Sequence, residues 1–401
     1  MNAVQQIRRF NAGRDPERLA LKYRAMRGDA FVFLRATCHL FHERLPLGES
    51  VLRKAPAAWT CGDLHLENFG SYKGDNRQVY FDINDFDEAL LAPLGWDLVR
   101  GLASILVGCR SLGVDRHAVE VPLQLCDVFL DAYGRALADG KARWVERETA
   151  TGPVGALLQE ARLRHRAALL DSRTHPKGRR RLLNTDGRKA LPASKAQRDA
   201  VQAFFSGFAA QQGDPRFFEV LDVARRIAGT GSLGVERYIV LVRGKGSPDG
   251  NYLLDLKHAQ PSAPARYVAL AQPAWADEAQ RVVAIQRRMQ AVGMAFLHPV
   301  VMDGQPFVLR GLQPSEDRVA LVALSVPHLS QLVGVMGQCL AWAQLRSSGR
   351  GGSATADALI AFGAKKKWRG RLLDIARHAA AQVQADWEDF SVAYDEGVFA
   401  G

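Results

Sequence analysis

Three polar residues between positions 63 and 85 have the types and spacing that phosphoryl transfer requires. Asp63 and Asn68 lie five positions apart in a polar loop between two predicted strands, and Asp85 comes shortly after the strand VYFDI. Phosphoryl transfer needs a carboxylate near the attacking hydroxyl and oxygen ligands that hold Mg²⁺ on the phosphates. Asp63 supplies the carboxylate, and Asn68 and Asp85 supply the ligands. Asp97, which opens the next predicted helix, completes the group.

Two further aspartates flank this group. Asp87 forms a D-x-D pair with Asp85 and is a candidate to assist the metal ion. Strand alternation places Asp82 and Asn84 on one face, so Asp82 is either a surface residue or a supporting group. His65 lies inside the loop, where packing or hydrogen bonding is a more common role than metal ligation.

The same segment resembles a known group of kinases. GDLHLEN is similar to the catalytic loop of aminoglycoside phosphotransferases and choline kinases, NDFDEA to their metal-binding segment, and WDL to a later motif. The resemblance implies that Asp63 is the catalytic base, that Asn68 and Asp85 bind Mg²⁺, and that Asp97 braces the catalytic loop. Cys61 stands where these kinases have a histidine.

A glycine-rich segment follows much later in the chain. A dinucleotide-binding fingerprint would open a helix after its glycines, whereas VERYIVLVR, which follows here, predicts a strand. The pattern therefore indicates the glycine-rich hairpin with which protein kinases cover ATP phosphates. The candidate nucleotide-binding residues of this segment are Gly229, Thr230, Gly231, Ser232 and Gly234.

A kinase also needs a lysine on the third strand of this lobe. Lys257 in YLLDLKHA has that position and would pair with the α- and β-phosphates. Glu278, at the start of the next predicted helix, is the candidate partner of Lys257. Asp255 shares a strand face with Lys257. Residues 306–312 resemble the strand and hinge that bind adenine through backbone groups.

The order of these motifs is circularly permuted relative to ordinary kinases, because the catalytic loop precedes the glycine-rich loop. Together with QRVVAIQRRMQA, the motifs resemble an uncharacterised bacterial family, the domain of unknown function numbered twenty-two fifty-two. The resemblance spans nearly the whole chain. A site depends on spatial positions, so permuted chain order is compatible with one active site.

The predicted fold is α+β, a circularly permuted, two-lobed, protein-kinase-like fold with a small antiparallel β lobe and a larger helical lobe. Helical patterns cover 16–45, 96–110, 119–139, 274–292 and 332–346, with a flexible break at 347–353. Strands are predicted at 57–60, at 79–83, three times within 221–259, and as a hairpin at 299–302 and 306–312. The predicted divisions are a helical lobe at 1–172, a basic connector at 173–216, a nucleotide-binding lobe at 217–315, and completing helices at 316–401.

Composition and charge limit the function classes. The 401 residues are 47% hydrophobic with a net charge of +11, which fits a globular protein with anionic partners. No signal peptide is recognisable at the N-terminus, so we expect a cytoplasmic protein. Polar residues interrupt the uncharged stretch 319–345, which predicts a buried helix and not a membrane span. Neither a GxSxG motif nor zinc-ligand spacing occurs.

The sequence leaves three functions open. The first is a phosphotransferase that uses ATP and Mg²⁺ on a small molecule with a hydroxyl or amine acceptor. The second is an adenylyltransferase on the same fold. The third is a non-catalytic nucleotide- or nucleic-acid-binding protein that uses the basic segments 173–198 and 365–371. The acceptor and the oligomeric state are not encoded in any recognisable motif.

Overall fold

The computed structural model describes residues 2–114, 120–178 and 180–399. Residue 119, the predicted start of one helix, and Arg179 in the basic segment lie outside these ranges. The helices are α1 (Ala3–Phe10), α2 (Pro16–Gly28), α3 (Ala30–Ala36), α4 (Cys38–Glu43), α5 (Ser50–Arg53), α6 (Gly95–Ser111), α7 (Val121–Asp139), α8 (Gly152–Leu163), α9 (Arg166–Arg173), α10 (Lys195–Ala210), α11 (Glu278–Met289), α12 (Val326–Arg346), α13 (Ala356–Gly363) and α14 (Lys367–Asp395).

The strands form antiparallel sheets, so the molecule has a mixed α+β fold. The largest sheet has six strands in the order β12-β13-β11-β10-β9-β8. The strands are β1 (Ala57–Thr60), β2 (Phe69–Lys73), β3 (Val79–Ile83), β4 (Leu90–Pro93), β5 (Val145–Glu146), β6 (Thr174–Lys177), β7 (Arg180–Leu183), β8 (Ala190–Pro192), β9 (Val220–Arg226), β10 (Arg237–Val242), β11 (Tyr252–His258), β12 (Leu297–Met302) and β13 (Gln305–Gly311).

Side-chain alternation gives the six-stranded sheet two different faces. Tyr238, Val240 and Leu254 point to one face, where they pack with Phe205 of α10 in a hydrophobic cluster. The opposite face carries Ile239 and Leu253 at one end. At its other end this face carries the charged pair of strand neighbours Arg237 and Lys257, which are directly opposite each other in the register. The charged end of this face borders a cleft.

Long apolar helices form the other large part of the core. Helix α6 is buried along most of its length, and it packs against α7 and α14, while α7 packs against α12. Gly337 of α12 permits close approach, because a Cβ there would lie 2.5 Å from the carbonyl oxygen of Phe129 in α7. Within the described residues, no helix is both long enough and apolar enough to cross a membrane.

Two small sheets hold the loops that carry the aspartates. β1 pairs with β4, and β2 pairs with β3. Loop 61–68 therefore runs from β1 to β2, and loop 84–89 runs from β3 to β4. Both loops connect the same two small sheets, so Asp63 and Asp85 lie near each other, and Asn68 bonds to both.

Many predicted elements are confirmed, and three segments differ. The three antiparallel strands within 221–259 and the hairpin around Asp303 are present. The helical pattern 16–45 breaks into α2, α3 and α4, because Asp29 caps α3 by accepting the Val32 N–H. The predicted flexible break 347–353 makes defined contacts, since the Arg350 carbonyl accepts a hydrogen bond from the Trp59 indole.

The basic segment 173–198 contributes to the sheet. It contains the β6–β7 hairpin and strand β8, and β8 pairs with β9. Helix α10 packs on the apolar face of the same sheet. The sheet with its packed helix therefore begins near residue 190 and not at residue 217, where the sequence pattern placed its start.

Candidate functional site

Asp97 fixes the loop that carries Asp63. Its carboxylate, in the first turn of α6, accepts the backbone N–H groups of Cys61 at 2.9 Å and Gly62 at 3.0 Å. Gly62 has a φ of +77°, and a Cβ there would collide with the carbonyl oxygen of Glu88. The expectation that Asp97 braces this loop is therefore confirmed by its hydrogen bonds.

A buried arginine holds the Asp63 side chain. The Arg100 guanidinium donates from Nε (2.9 Å) and Nη2 (2.6 Å) to Oδ1 of Asp63, and it lies 4.5 Å above the Phe41 ring. Oδ2 of Asp63 has no hydrogen-bond partner within the described residues, and the side chain lines the cleft. Desolvation raises the pKa of Asp63, and Arg100 opposes that rise.

Sequence reasoning missed Arg100. The signal was present, because Arg100 follows Asp97 by three positions on a helix and so lies on the same face. The geometry leaves Asp63 with one oxygen occupied and one oxygen directed to the cleft, which is the arrangement a general base needs.

Asn68 ties the two aspartate loops together. Its Nδ2 donates to the carbonyl oxygens of Asp63 and Asp85, both at 3.1 Å, and its Oδ1 accepts the Asp85 N–H at 2.7 Å. The amide oxygen thus keeps one lone pair for a further partner. Asn68 therefore fixes the separation between Asp63 and Asp85.

The Asp85 carboxylate is exposed to the cleft. Desolvation opposes its ionisation, but Lys257 and the N–H of Asp87 outweigh that effect and lower the pKa of Asp85. Asp82 is buried, and its carboxylate accepts the Ile83 N–H at 2.9 Å, so it supports β3 and does not line the cleft.

A magnesium ion would find few protein ligands here. Among the described residues, no group of three His, Cys, Asp or Glu side chains lies close enough to hold a metal ion. The available oxygens are the Asp85 carboxylate, the free lone pair of Asn68 and the Asp87 carboxylate. This donor set fits Mg²⁺ only if phosphate oxygens and waters complete the octahedron, as is usual for Mg²⁺ bound with a nucleotide.

Lys257 contacts Asp87 and not Glu278. The Lys257 ammonium forms an ion pair with Oδ2 of Asp87. The Glu278 carboxylate pairs with Arg281, and Arg281 donates to the carbonyl of Asp87 at 2.8 Å. The predicted Lys257–Glu278 pair is therefore wrong in this structure, because Arg281 occupies the carboxylate of Glu278 and docks α11 onto the aspartate loop.

The glycine-rich loop lies between β9 and β10, as the sequence predicts, and the N-terminal helices hold it. The Gly231 carbonyl accepts hydrogen bonds from Lys22 Nζ and Arg14 Nη1, both at 3.0 Å. Lys22 is completely buried, and desolvation lowers its pKa well below the ordinary value. The N-terminal segment therefore fixes this loop in place.

The glycine-rich residues do not all face the cleft. Gly234 has a φ of +88°, and a Cβ there would press on Arg14 and Leu19, so this glycine serves the packing of the loop. The members that line the cleft are Gly229, Thr230, Gly231 and Ser232.

A charged cluster covers the sheet face beside Lys257. Asp255 is 1% exposed and pairs with Arg226, Arg237 and Arg310. Desolvation would raise its pKa, but the three guanidinium groups hold the pKa of Asp255 well below its ordinary value. Sequence alternation placed Asp255 on this face, but it gave no sign of the arginines that three other strands contribute.

The backbone at the end of β13 is largely occupied. The Gly311 N–H donates to the Phe296 carbonyl at 3.1 Å, and the Leu312 N–H donates to the Leu253 carbonyl at 2.9 Å. The sequence pattern of residues 306–312 suggested that backbone groups here bind adenine. These two N–H groups are not free to do so, because they already donate hydrogen bonds within the protein.

The cleft has a volume of about 1260 Å³. It brings together Asp63 and Asp85 from one region of the chain with Gly231 and Lys257 from another. The exposed oxygen of Asp63, the ionised Asp85 and the Lys257 ammonium are the groups that a phosphorylated ligand and an acceptor hydroxyl would meet.

Comparison with known proteins gives one result. A family model described as an uncharacterized protein conserved in bacteria (DUF2252) matches residues 14–393 of the 401. No curated protein and no solved structure matches the chain.

Proposed function

The chain belongs to the bacterial family DUF2252, and we propose that it is a magnesium- and ATP-dependent phosphotransferase acting on a small molecule. One observation carries the proposal. Lys257 on β11 forms an ion pair with Asp87, although 170 positions separate these two residues in the chain. Asp87 lies two residues from Asp85. Two motif groups that suggest the same chemistry thus line one cleft.

The architecture we propose is a circularly permuted kinase-like arrangement of two lobes. The six-stranded sheet would serve as the nucleotide lobe, and the helices around α6 and α12 as the helical lobe that carries the proposed base. In this arrangement the N-terminal segment precedes the catalytic loop in the chain. Lys22 of α2 and Arg14, between α1 and α2, hold the glycine-rich loop by their contacts to the Gly231 carbonyl.

In the proposed reaction, the triphosphate lies under the glycine-rich loop beside Lys257, whose ammonium acts as a point charge. Asp85, with Asn68 and Asp87 nearby, would hold Mg²⁺, which neutralises charge on the phosphates. The acceptor oxygen forms a bond to the γ-phosphorus, the bond to the bridging oxygen of ADP breaks, and the acceptor proton passes to Oδ2 of Asp63.

Product analysis tests this function. The protein is incubated with Mg-ATP and a bacterial metabolite extract, and ADP and AMP are quantified separately. We expect ADP, with at least a hundredfold loss in Asp63→Asn, since a positioned base contributes roughly 10²–10⁴ in rate. Asp303→Asn, at an exposed hairpin turn outside the cleft, is the matched control. AMP with pyrophosphate would establish adenylyl transfer instead, and no turnover would contradict both activities.

A further inference from the structure

We propose that the acceptor is an anionic, hydroxyl-bearing small molecule that binds between the N-terminal helices and the β6–β7 region. This inference rests on the proposed phosphotransferase function and names the class of its substrate. Two observations carry it: a buried histidine that lines the cleft without a hydrogen-bond partner, and a group of basic side chains with no carboxylate partners.

His39 is the buried group. It is 4% exposed, lines the cleft and stacks on Phe10 with ring centroids 3.8 Å apart. Neither ring nitrogen has a hydrogen-bond partner within the described residues. An unpaired buried polar group is costly, so such a group facing a cleft indicates a ligand that completes it.

The residue before His39 contacts the loop that carries the proposed base. This residue, Cys38, contacts the Gly62 carbonyl at 3.5 Å, immediately before Asp63, and Arg100 acts on both His39 and Asp63. Burial and the surrounding cations lower the pKa of His39 well below its ordinary value. A neutral imidazole offers one donor and one acceptor, which suits a hydroxyl group.

A group of basic side chains lines the same cleft as His39. This group is here called the basic wall. Within the described residues, none of its members forms an ion pair with a carboxylate, although Arg14 donates to the Gly231 carbonyl. Desolvation alone lowers the pKa of Arg173, with no acidic neighbour to oppose it. The members of the basic wall are Arg9, Arg14, Arg173 and Lys189.

Unpaired cations on one wall favour an anionic ligand. Cations that have no carboxylate partner attract ligands of the opposite sign, and a carboxylate or phosphate would give these groups charge-assisted hydrogen bonds. Two other cations at the cleft already have carboxylate partners, since Lys257 pairs with Asp87 and Arg35 pairs with Glu67. The acceptor therefore carries a hydroxyl toward His39 and Asp63 and an anionic group toward the basic wall.

The test uses a bacterial metabolite extract that ion exchange divides into anionic, neutral and cationic pools. Each pool is incubated with the full-length protein, Mg²⁺ and ATP labelled in the γ-phosphate. We expect labelled product from the anionic pool only. Labelled product from the neutral or cationic pool, or from none of the pools while Mg-ATP binds, overturns the proposal. Failure of Mg-ATP binding itself would instead reject the proposed function.

Variants then test the two observations separately with the labelled anionic substrate. We expect His39→Phe, which keeps the stacking on Phe10, and Arg173→Gln each to raise the KM for the acceptor by about tenfold. The Kd of Mg-ATP should stay within twofold. Arg162→Gln, an exposed arginine outside the cleft, is the control. Unchanged KM in both variants would remove the acceptor from this part of the cleft.

Discussion

Single carboxylates in the cleft differ in charge because their partners differ. Asp85 and Asp255 face cations and stay ionised, whereas desolvation dominates at Glu88 and nearby acids add to it. Desolvation is the largest effect on Glu88 and raises its pKa. The charges of Asp63 and Asp87 raise it further, to about 7, although the hydrogen bond from the Ala263 N–H lowers it. Glu88 therefore titrates near neutral pH beside the proposed base.

Glu88 makes stability depend on pH. Its folded pKa of about 7 lies above the ordinary value of 4.5, so the folded state retains a proton that the unfolded state loses. The associated stabilisation is complete below pH 4.5 and is lost as the pH rises to 7, with a slope of at most about 1.4 kcal/mol per pH unit. We expect Glu88→Gln to reduce the pH slope of stability in urea unfolding between pH 5 and pH 8, with a remainder from Asp97, whose pKa burial also raises to about 7.

The matched control for that measurement is Glu160→Gln, since Glu160 is exposed on α8. The control variant should keep the slope of the wild type. An unchanged slope in Glu88→Gln would show that folding does not raise the pKa of Glu88.

At the scale of elements, the N-terminus of α6 organises the aspartate loop. Asp97 satisfies two buried backbone N–H groups, and Arg100, one turn later, holds Asp63. A rigid helix thus sets both the loop backbone and the orientation of the proposed base. These roles explain why the helix carries two buried charged residues, Asp97 and Arg100.

Removal of Asp97 should cost more than the loss of a surface carboxylate. Asp97→Ala leaves the Cys61 and Gly62 N–H groups buried without partners, at about 1–3 kcal/mol each. We expect a loss of about 2–4 kcal/mol in the free energy of unfolding, measured by urea denaturation. Asp127→Ala, at an exposed position on α7, should lie within about 0.5 kcal/mol of the wild type. A similar small effect of Asp97→Ala would contradict the bracing role.

Local signals in the sequence predicted most elements of the sheet. Alternation and turn residues located β9, β10, β11 and the β12–β13 hairpin, because those signals depend only on neighbouring residues. Strand β8 was missed, since three residues in a basic, turn-rich segment carry no alternation. The breaks within 16–45 were also missed, because the capping by Asp29 competes with an otherwise continuous helical pattern.

The individual residues of the candidate site were predicted better than the ion pairs between them. Spacing located Asp63, Asn68, Asp85 and Lys257, and all four line the cleft. The partner of Lys257 was assigned wrongly, because a long-range ion pair depends on how α11 docks and not on local spacing. The arginines around Asp255 come from separate strands, so only the folded sheet brings them together.

For the whole molecule, the proposed function depends on one cleft that two distant segments of the chain share. The N-terminal helices, the aspartate loops, the sheet and the β6–β7 region all contribute to its walls. Such convergence gives binding a clear dependence on residues from both segments. A protein in which the two groups had unrelated roles would not show that dependence.

Calorimetric titration of ATP, with and without Mg²⁺, tests whether the cleft binds a nucleotide through residues of both segments. We expect Mg²⁺ to tighten binding to the wild type, and Lys257→Met and Asp85→Asn each to weaken Mg-ATP binding by about tenfold or more, which is about 1.4 kcal/mol. Lys245→Met and Asp303→Asn, at exposed turns, should bind as the wild type does. An absence of ATP binding up to millimolar concentration, or binding that neither cleft variant weakens, would contradict a nucleotide site built from both segments.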